Sequence, residues 1–135
     1  MFEDKKINRK DILYPKLSYD VIGCAFDVYN EIGPGYHEKY YQRAMAEALK
    51  NKKIIFSEQV YTPLKYSGAV IGKQYLDFLI DGIIVVELKK GNVFSKRHID
   101  QVVNYLKTKN LQLALLINFT NNGVVSKRIV NVINS

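Results

Sequence analysis

The spacing of apolar residues predicts two helices in the first part of the chain. Over residues 17–32 apolar side chains recur every three to four positions, which is typical of a helix with one buried face. Ser18 is the predicted N-cap, because its hydroxyl oxygen can accept a bond from an unpaired backbone N–H. Gly33 and Pro34 end this helix. The same spacing predicts a second helix over residues 37–51.

The apolar pattern then changes from helical to strand-like. Residues 54–65 predict a strand that lies at a sheet edge or bends near Pro63, since proline donates no backbone hydrogen bond. Residues 69–81 predict the next strand. Residues 83–90 predict a third strand, whose nearly continuous Ile and Val are expected where both faces are covered.

The last part of the chain predicts a helical crossover. A helix over residues 95–110 is followed by a buried strand over residues 111–118, and such a connection joins parallel strands. Residues 124–132 form either a strand or a short helix. The predicted fold is an α/β sandwich with a mixed sheet of about four to five strands flanked by helices. On the crossover helix, three side chains share a face apart from the apolar one: His98, Gln101 and Tyr105.

The composition is that of one globular domain. Residues 1–15 lack periodicity and are predicted to be a leader, which leaves a single domain over residues 16–135. No apolar run approaches the roughly 20 residues that cross a bilayer, and the charged start has no signal-peptide pattern, so a cytoplasmic location is expected. The single cysteine, Cys24, falls in an apolar helical pattern and is predicted to be a buried, unreactive thiol.

The positive charge favours a polyanionic partner. A net charge of +7 and an isoelectric point near 9.4 favour nucleic acid, although dispersed cations of this kind also occur on ordinary solvated surfaces. A chain of this size leaves little surface for gripping a long duplex, so a homodimer is also expected. Four tyrosines could serve that interface or stack on bases: Tyr36, Tyr40, Tyr61 and Tyr66.

The hairpin between the second and third strands carries the charged residues that need explaining. With a two-residue turn at Asp81-Gly82, Asp77 and Glu87 would lie on opposite faces of the sheet. A three-residue connection or a bulge at Gly82 instead places Asp77 across from Glu87, on the face shared with Lys89. We predict the second register, because acids at the end of a buried strand cost desolvation energy unless they are paired or used.

These residue types suit metal-assisted hydrolysis. Converging carboxylates are hard oxygen ligands of the kind that bind Mg²⁺ or Mn²⁺. A metal there activates water for attack on a phosphodiester, and a lysine stabilises the developing charge. Glu38, in the first turn of the second helix, is placed to approach the same site, although an acid there also simply complements the helix dipole.

The motif residues resemble a known superfamily. Asp77, followed by Glu87-Leu88-Lys89 on the adjacent strand after a helix bearing Glu38, resembles the PD-(D/E)XK nucleases. More narrowly, the segment GYHEKYY at residues 35–41 resembles the signature of the GxxExxY protein family. Leu76 stands where the superfamily has its proline, a position that contributes backbone shape. The resemblance implies a restriction-endonuclease-like three-layer sandwich.

The resemblance also implies a role for each matched residue. Asp77, Glu87 and the carbonyl of Leu88 are expected to hold Mg²⁺ or Mn²⁺, with Glu38 completing the shell of the metal. The expected catalytic residues are Glu38, Asp77, Glu87, Lys89 and Gln101, with Lys89 as the catalytic cation. His98 either approaches the site or faces solvent.

Three functions remain open from the sequence. The first is a magnesium-dependent nuclease, with DNA expected over RNA as substrate and a role in repair, recombination or defence. The second is a catalytically silent module that binds nucleic acid or protein on the same fold. The third is a purely structural role, in which the acids are scattered, solvated charges.

Overall fold

The computed structural model describes residues 13–132 in three layers. Most of the predicted leader therefore lies outside the described residues. The elements in chain order are helices α1 (Pro15–Ile32) and α2 (Glu38–Asn51), strands β1 (Phe56–Tyr66), β2 (Ala69–Ile80) and β3 (Ile84–Lys90), helix α3 (Lys96–Lys109), and strands β4 (Leu113–Thr120) and β5 (Gly123–Val130). The strands form one sheet in the order β1-β2-β3-β4-β5.

The sheet is mixed, as predicted. Strands β1, β2 and β3 pair antiparallel, β3 pairs parallel with β4 through the α3 crossover, and β5 returns antiparallel at the far edge. The segment after residue 123, which the sequence left open between strand and helix, is thus the strand β5. Strand β1 is an edge strand, as Pro63 indicated. The predicted α/β sandwich with flanking helices is confirmed.

A separate apolar core lies on each face of the sheet. Helices α1 and α2 pack over one face, where Phe78 of β2 and Ile117 of β4 are fully buried. Helix α3 packs over the other face, against Val85 and Leu116. Every residue of β4 is buried, because this strand is covered on both faces and paired on both edges. Cys24 is fully buried in the first core, and burial raises the pKa of its thiol to about 11.

The start of α1 differs from the prediction. The helix begins at Pro15, and Ser18 is a buried residue inside its first turn, with its hydroxyl donating to the Pro15 carbonyl at 3.2 Å. Ser18 is therefore not the N-cap. Proline suits the first position of a helix, because the N–H it lacks would have no partner there.

Tyr105 also differs from the prediction. It is 5% exposed and lies in the core beneath α3 with Val102 and Leu106, rather than on a polar face with His98 and Gln101. The aromatic ring is apolar enough to be buried against the sheet, and this outweighs the hydroxyl group.

The β1–β2 hairpin bends beside the candidate site. Phe78 packs in the α1–α2 core, whereas Leu76, two residues earlier on the same strand, packs in the α3 core. Alternation along a regular strand would place both on one face. The partner strand has Gln59 in the left-handed region, with φ of 50°, where the residues opposite Asp77 are interrupted. This bend turns the outer part of the hairpin toward α3.

No helix among residues 13–132 is long and apolar enough to span a membrane.

Candidate active site

The register of the β2–β3 hairpin brings the two acids together. Phe78 pairs with Val86 and Ile80 with Ile84, so three residues connect the strands. Asp81 and Gly82 in this connection both have positive φ, 51° and 71°. Continuing the same register by one residue places Asp77 opposite Glu87. The predicted three-residue connection is confirmed.

The carboxylates of Asp77 and Glu87 each accept a hydrogen bond from the backbone of the strand opposite. The Asp77 N–H donates to Glu87 Oε2 at 2.5 Å, and the Leu88 N–H donates to Asp77 Oδ2 at 2.8 Å. Glu87 is only 1% exposed. The two carboxylates are therefore fixed by the strands that carry them, and neither depends on a mobile loop for its position.

The close approach of these carboxylates makes Asp77 hard to ionise. Burial, followed by the nearby charge of Glu87, raises the pKa of Asp77 to about 7, although the Leu88 N–H opposes the shift. Glu38 raises this pKa further, and His98 lowers it. The site thus holds more negative charge than its surroundings compensate, and a cation bound there would relieve it.

His98 reaches the site from α3. Its Nε2 lies 2.5 Å from Glu87 Oε1, and this bond raises the pKa of the imidazole. The backbone N–H of His98 donates to the N-cap Ser95 at 3.1 Å, which places the histidine in the first turn of the helix. Of the two alternatives for His98, the structure supports approach to the site.

Glu38 and Lys89 meet at the end of β3. Lys89 Nζ lies 3.3 Å from Glu38 Oε2, and the same oxygen accepts a bond from the Lys90 N–H at 3.1 Å. Both side chains are over a third exposed, so the ion pair adds little to stability. Its effect is positional, because it holds the ammonium group at the strand end that carries Glu87.

A family model matches residues 15–131, nearly the whole chain, and describes the PD-(D/E)XK nuclease superfamily. The chain belongs to this superfamily. Among solved structures, the crystal structure of SSO0001 is similar, with 19% sequence identity and a TM-score of 0.52. The similarity covers 72% of this chain and 52% of that one, so the chain spans about half of SSO0001, and at this identity the likeness concerns the fold alone. A search of curated proteins finds no significant match.

The structure gives each residue of the Gly-Glu-Tyr segment of this PD-(D/E)XK protein a physical reason. Gly35 has φ of 93°, a conformation that other residues rarely adopt. Glu38 contacts the end of β3, as described above. Tyr41 is 1% exposed, stacks on Phe119 with ring centroids 4.3 Å apart, and donates its hydroxyl to the Gly33 carbonyl at 2.7 Å. The narrower resemblance to the GxxExxY family stays a prediction.

The remaining predicted residues lie around the same strand end. Gln101 lines a cavity of about 200 Å³ together with Lys89 and His98. Leu76, at the position of the superfamily proline, is fully buried in the α3 core. The sequence did not single out Gln74 and Arg97, which line this cavity as well. Only the bend of the hairpin toward α3 brings Gln74 to the site.

The residue types at this site suit a hard divalent cation, but their side chains are not arranged as a complete metal site. Among residues 13–132, no three His, Cys, Asp or Glu side chains are grouped closely enough to hold a metal ion. Both oxygens of Glu87 are engaged within the protein, by the Asp77 N–H and by His98. The two facing carboxylates nonetheless supply oxygen donors and an uncompensated charge, which is the environment that Mg²⁺ and Mn²⁺ favour.

Proposed function

We propose that the chain is a metal-dependent nuclease that hydrolyses phosphodiester bonds, with DNA as the preferred substrate over RNA. The observation that carries this proposal is the facing of Asp77 and Glu87, where burial and like charge raise the pKa of Asp77 to about 7. If these acids had only a structural role, replacing one of them would stabilise the fold. Their pairing is therefore better explained by a function that needs both. Membership in a nuclease superfamily supports the same chemistry.

Asp77, Glu87 and the Leu88 carbonyl would hold Mg²⁺ or Mn²⁺, with Glu38 beside them. Such a cation, when bound, lowers the pKa of its water and screens the charge that develops on the phosphate. The backbone bonds to Asp77 and Glu87 hold the two acids next to each other across the paired strands. Desolvation there strengthens every charge interaction with an incoming phosphate.

Lys89 is the proposed catalytic cation. It lies two residues beyond Glu87, on the same face of β3, and its ammonium group is held by Glu38 at 3.3 Å. In this position it stabilises the negative charge of the transition state without transferring a proton. Gln101, in the same cavity, is proposed to donate its amide to a phosphate oxygen.

The test compares Lys89→Ala with Lys127→Ala. Both changes remove one strand lysine, but Lys127 lies exposed on the edge strand β5, two strands away from β3. We expect Lys89→Ala to lower Mg²⁺- or Mn²⁺-dependent cleavage by about 100-fold or more, and Lys127→Ala to leave it near wild type. Cleavage is measured on labelled single-stranded, duplex and branched DNA and on RNA. If the wild-type protein cleaves none of them with either metal, the nuclease proposal is wrong.

A second function has one observation in its favour. Because Glu87 already bonds His98 and Asp77, a metal would have to compete for oxygens that the protein uses. The alternative is a catalytically silent module that binds nucleic acid through its positive charge. Salt-dependent binding that needs no metal and is unchanged by Asp77→Asn, together with absent cleavage, would support it.

Several finer expectations belong to the same proposal. They are membership in the GxxExxY family, a cytoplasmic location, a single nuclease domain from residue 16, and a homodimer. Tyr36, Tyr40, Tyr61 and Tyr66 are all at least 45% exposed, so each is accessible for either of the roles considered above.

A further inference from the structure

A groove leads away from the cavity that contains Lys89. It has a volume of about 560 Å³, and its two walls are the outer part of the β1–β2 hairpin and one side of α3. Three residues line both the groove and the site cavity: Gln74, Arg97 and Gln101. The groove and the site are therefore continuous, and whatever lies in the groove reaches Lys89.

The helix wall of the groove is polar and regularly spaced. Arg97, Gln101, Asn104 and Thr108 recur every three to four residues, which places them in one row along α3. The row is about 16 Å long at a rise of about 1.5 Å per residue. Amide and hydroxyl groups in such a row can bond base edges or phosphate oxygens.

The charge of the groove suits a polyanion. Its cations are Lys65, Arg97 and Lys109. Its one acidic lining residue, Asp100, is paired with Lys96 at 2.8 Å. Arg97 has no ion-pair partner among residues 13–132, and it lies in the first turn of α3, where a cation is unfavourable to the helix dipole. Because Arg97 costs stability at this position, its presence is better explained by an anion that binds it from outside the protein.

The hairpin side of the groove carries an exposed pair of aromatic residues. Tyr61 lines the groove, is 47% exposed, and packs edge-on against Tyr75 with ring centroids 6.0 Å apart. Aromatic rings beside a basic track are the usual means of holding unpaired bases. A helix that reads the major groove of a duplex projects outward from its protein. Here the polar side of α3 instead faces into a concave groove whose other wall is the hairpin, which suits a single strand better than a duplex.

We propose that this groove holds an unpaired nucleic-acid strand and directs it to Lys89. This inference rests on the proposed nuclease function and adds the substrate class, a single strand or single-stranded extension. Arg97 and Lys109 contact phosphates, Tyr61 stacks on a base, and the amides of α3 bond the strand between them.

The test is binding without metal, in EDTA, measured by fluorescence anisotropy. The probes are labelled oligomers of about 12 nucleotides: oligo-dU, oligo-U, which differs from it only in the 2′-hydroxyl groups, and a DNA duplex. We expect either single strand to bind at least about tenfold more tightly than the duplex, and the tighter of the two identifies the preferred sugar. Equal or tighter binding of the duplex overturns the proposal.

Two variant pairs localise the binding. Lys109→Ala is compared with Lys107→Ala, which removes the same charge from the same turn of α3 but outside the groove. Tyr61→Ala is compared with Tyr61→Phe, which keeps the ring. We expect Lys109→Ala and Tyr61→Ala each to weaken binding about fivefold or more, and their partners to change it less than about twofold. Equal losses within each pair overturn the proposal.

Cleavage is assayed separately with Mg²⁺ or Mn²⁺, so the two ideas fail independently. Groove-dependent binding without any cleavage overturns the nuclease proposal alone. Cleavage that Tyr61→Ala and Lys109→Ala leave unchanged overturns the groove proposal alone.

Discussion

Replacing Asp77 by asparagine should stabilise the metal-free protein at neutral and alkaline pH. The folded protein places this carboxylate beside Glu87 and away from water, which raises the pKa of Asp77 from 3.8 to about 7. Asparagine has nearly the same shape, and its side-chain oxygen can still accept the bond from the Leu88 N–H. The substitution therefore removes the repulsion while keeping the contact.

The sign of the pH dependence follows from the raised pKa. Below about pH 4 the acid is protonated in both the folded and the unfolded chain, so it costs nothing. Between about pH 4 and pH 7 the unfolded chain releases the proton and the folded chain keeps it, so stability falls as pH rises. Above about pH 7 the cost is complete, at most about 4 kcal/mol from 1.36 kcal/mol per unit of pKa. We expect Asp77→Asn to gain about 2–4 kcal/mol at pH 8.5 and no more than about 1 kcal/mol at pH 4.5.

Urea unfolding in EDTA at both pH values measures this difference. Asp27→Asn is the control, because it removes the same charge from an exposed position on α1. Adding Mn²⁺ should stabilise the wild type and not Asp77→Asn, because a ligand that binds only the folded state raises the free energy of unfolding. A gain that is equal at the two pH values, or a loss at pH 8.5, would refute the electrostatic reasoning.

Three further predictions concern the site and its scaffold. Metal-free His98→Gln should lose more stability at pH 5.5 than at pH 9 in urea unfolding, because a histidine with a raised pKa stabilises the fold below about pH 6.5 and loses that contribution as pH rises through its folded pKa. Gly82→Ala should cost about 1–2 kcal/mol from its positive φ, whereas Gly23→Ala, in a helix with open space around it, should gain about 0.5–1 kcal/mol; opposite signs in the two melts are the check. Phe78→Ala should cost about 3–5 kcal/mol by urea unfolding, since the ring is fully buried, and a cost below about 1 kcal/mol would contradict the packing described.

Much of the fold could be predicted because the local patterns agree with one another. Apolar runs separated by turn residues predict β1, β2 and β3 as successive antiparallel strands, and the buried run that forms β4 needs a crossover helix to lie parallel to β3. The register of the hairpin was predictable from Gly82, because a three-residue connection or a bulge there places Asp77 opposite Glu87. Here a cost in desolvation energy distinguished two registers that turn chemistry alone would allow.

The parts that could not be predicted depend on how distant elements pack. No sequence signal marks Gln59 for a positive φ, so the sequence predicts neither the bend of the β1–β2 hairpin nor the position of Gln74. The contact of His98 with Glu87 depends on the placement of α3 over β3, which periodicity does not specify. Helical spacing groups Tyr105 with His98 and Gln101, but the ring of Tyr105 is buried against the sheet, which spacing alone does not predict.

The bond from the Lys90 N–H to Glu38 joins residues 52 positions apart, and His98 is contributed by the helix that follows β3. During synthesis on the ribosome, the hairpin bearing Asp77 and Glu87 emerges before the helix that bears His98. The site is consequently incomplete in a growing chain until the helix with His98 has been made. A break in the backbone anywhere between residues 38 and 98 would place the residues of the site on different fragments.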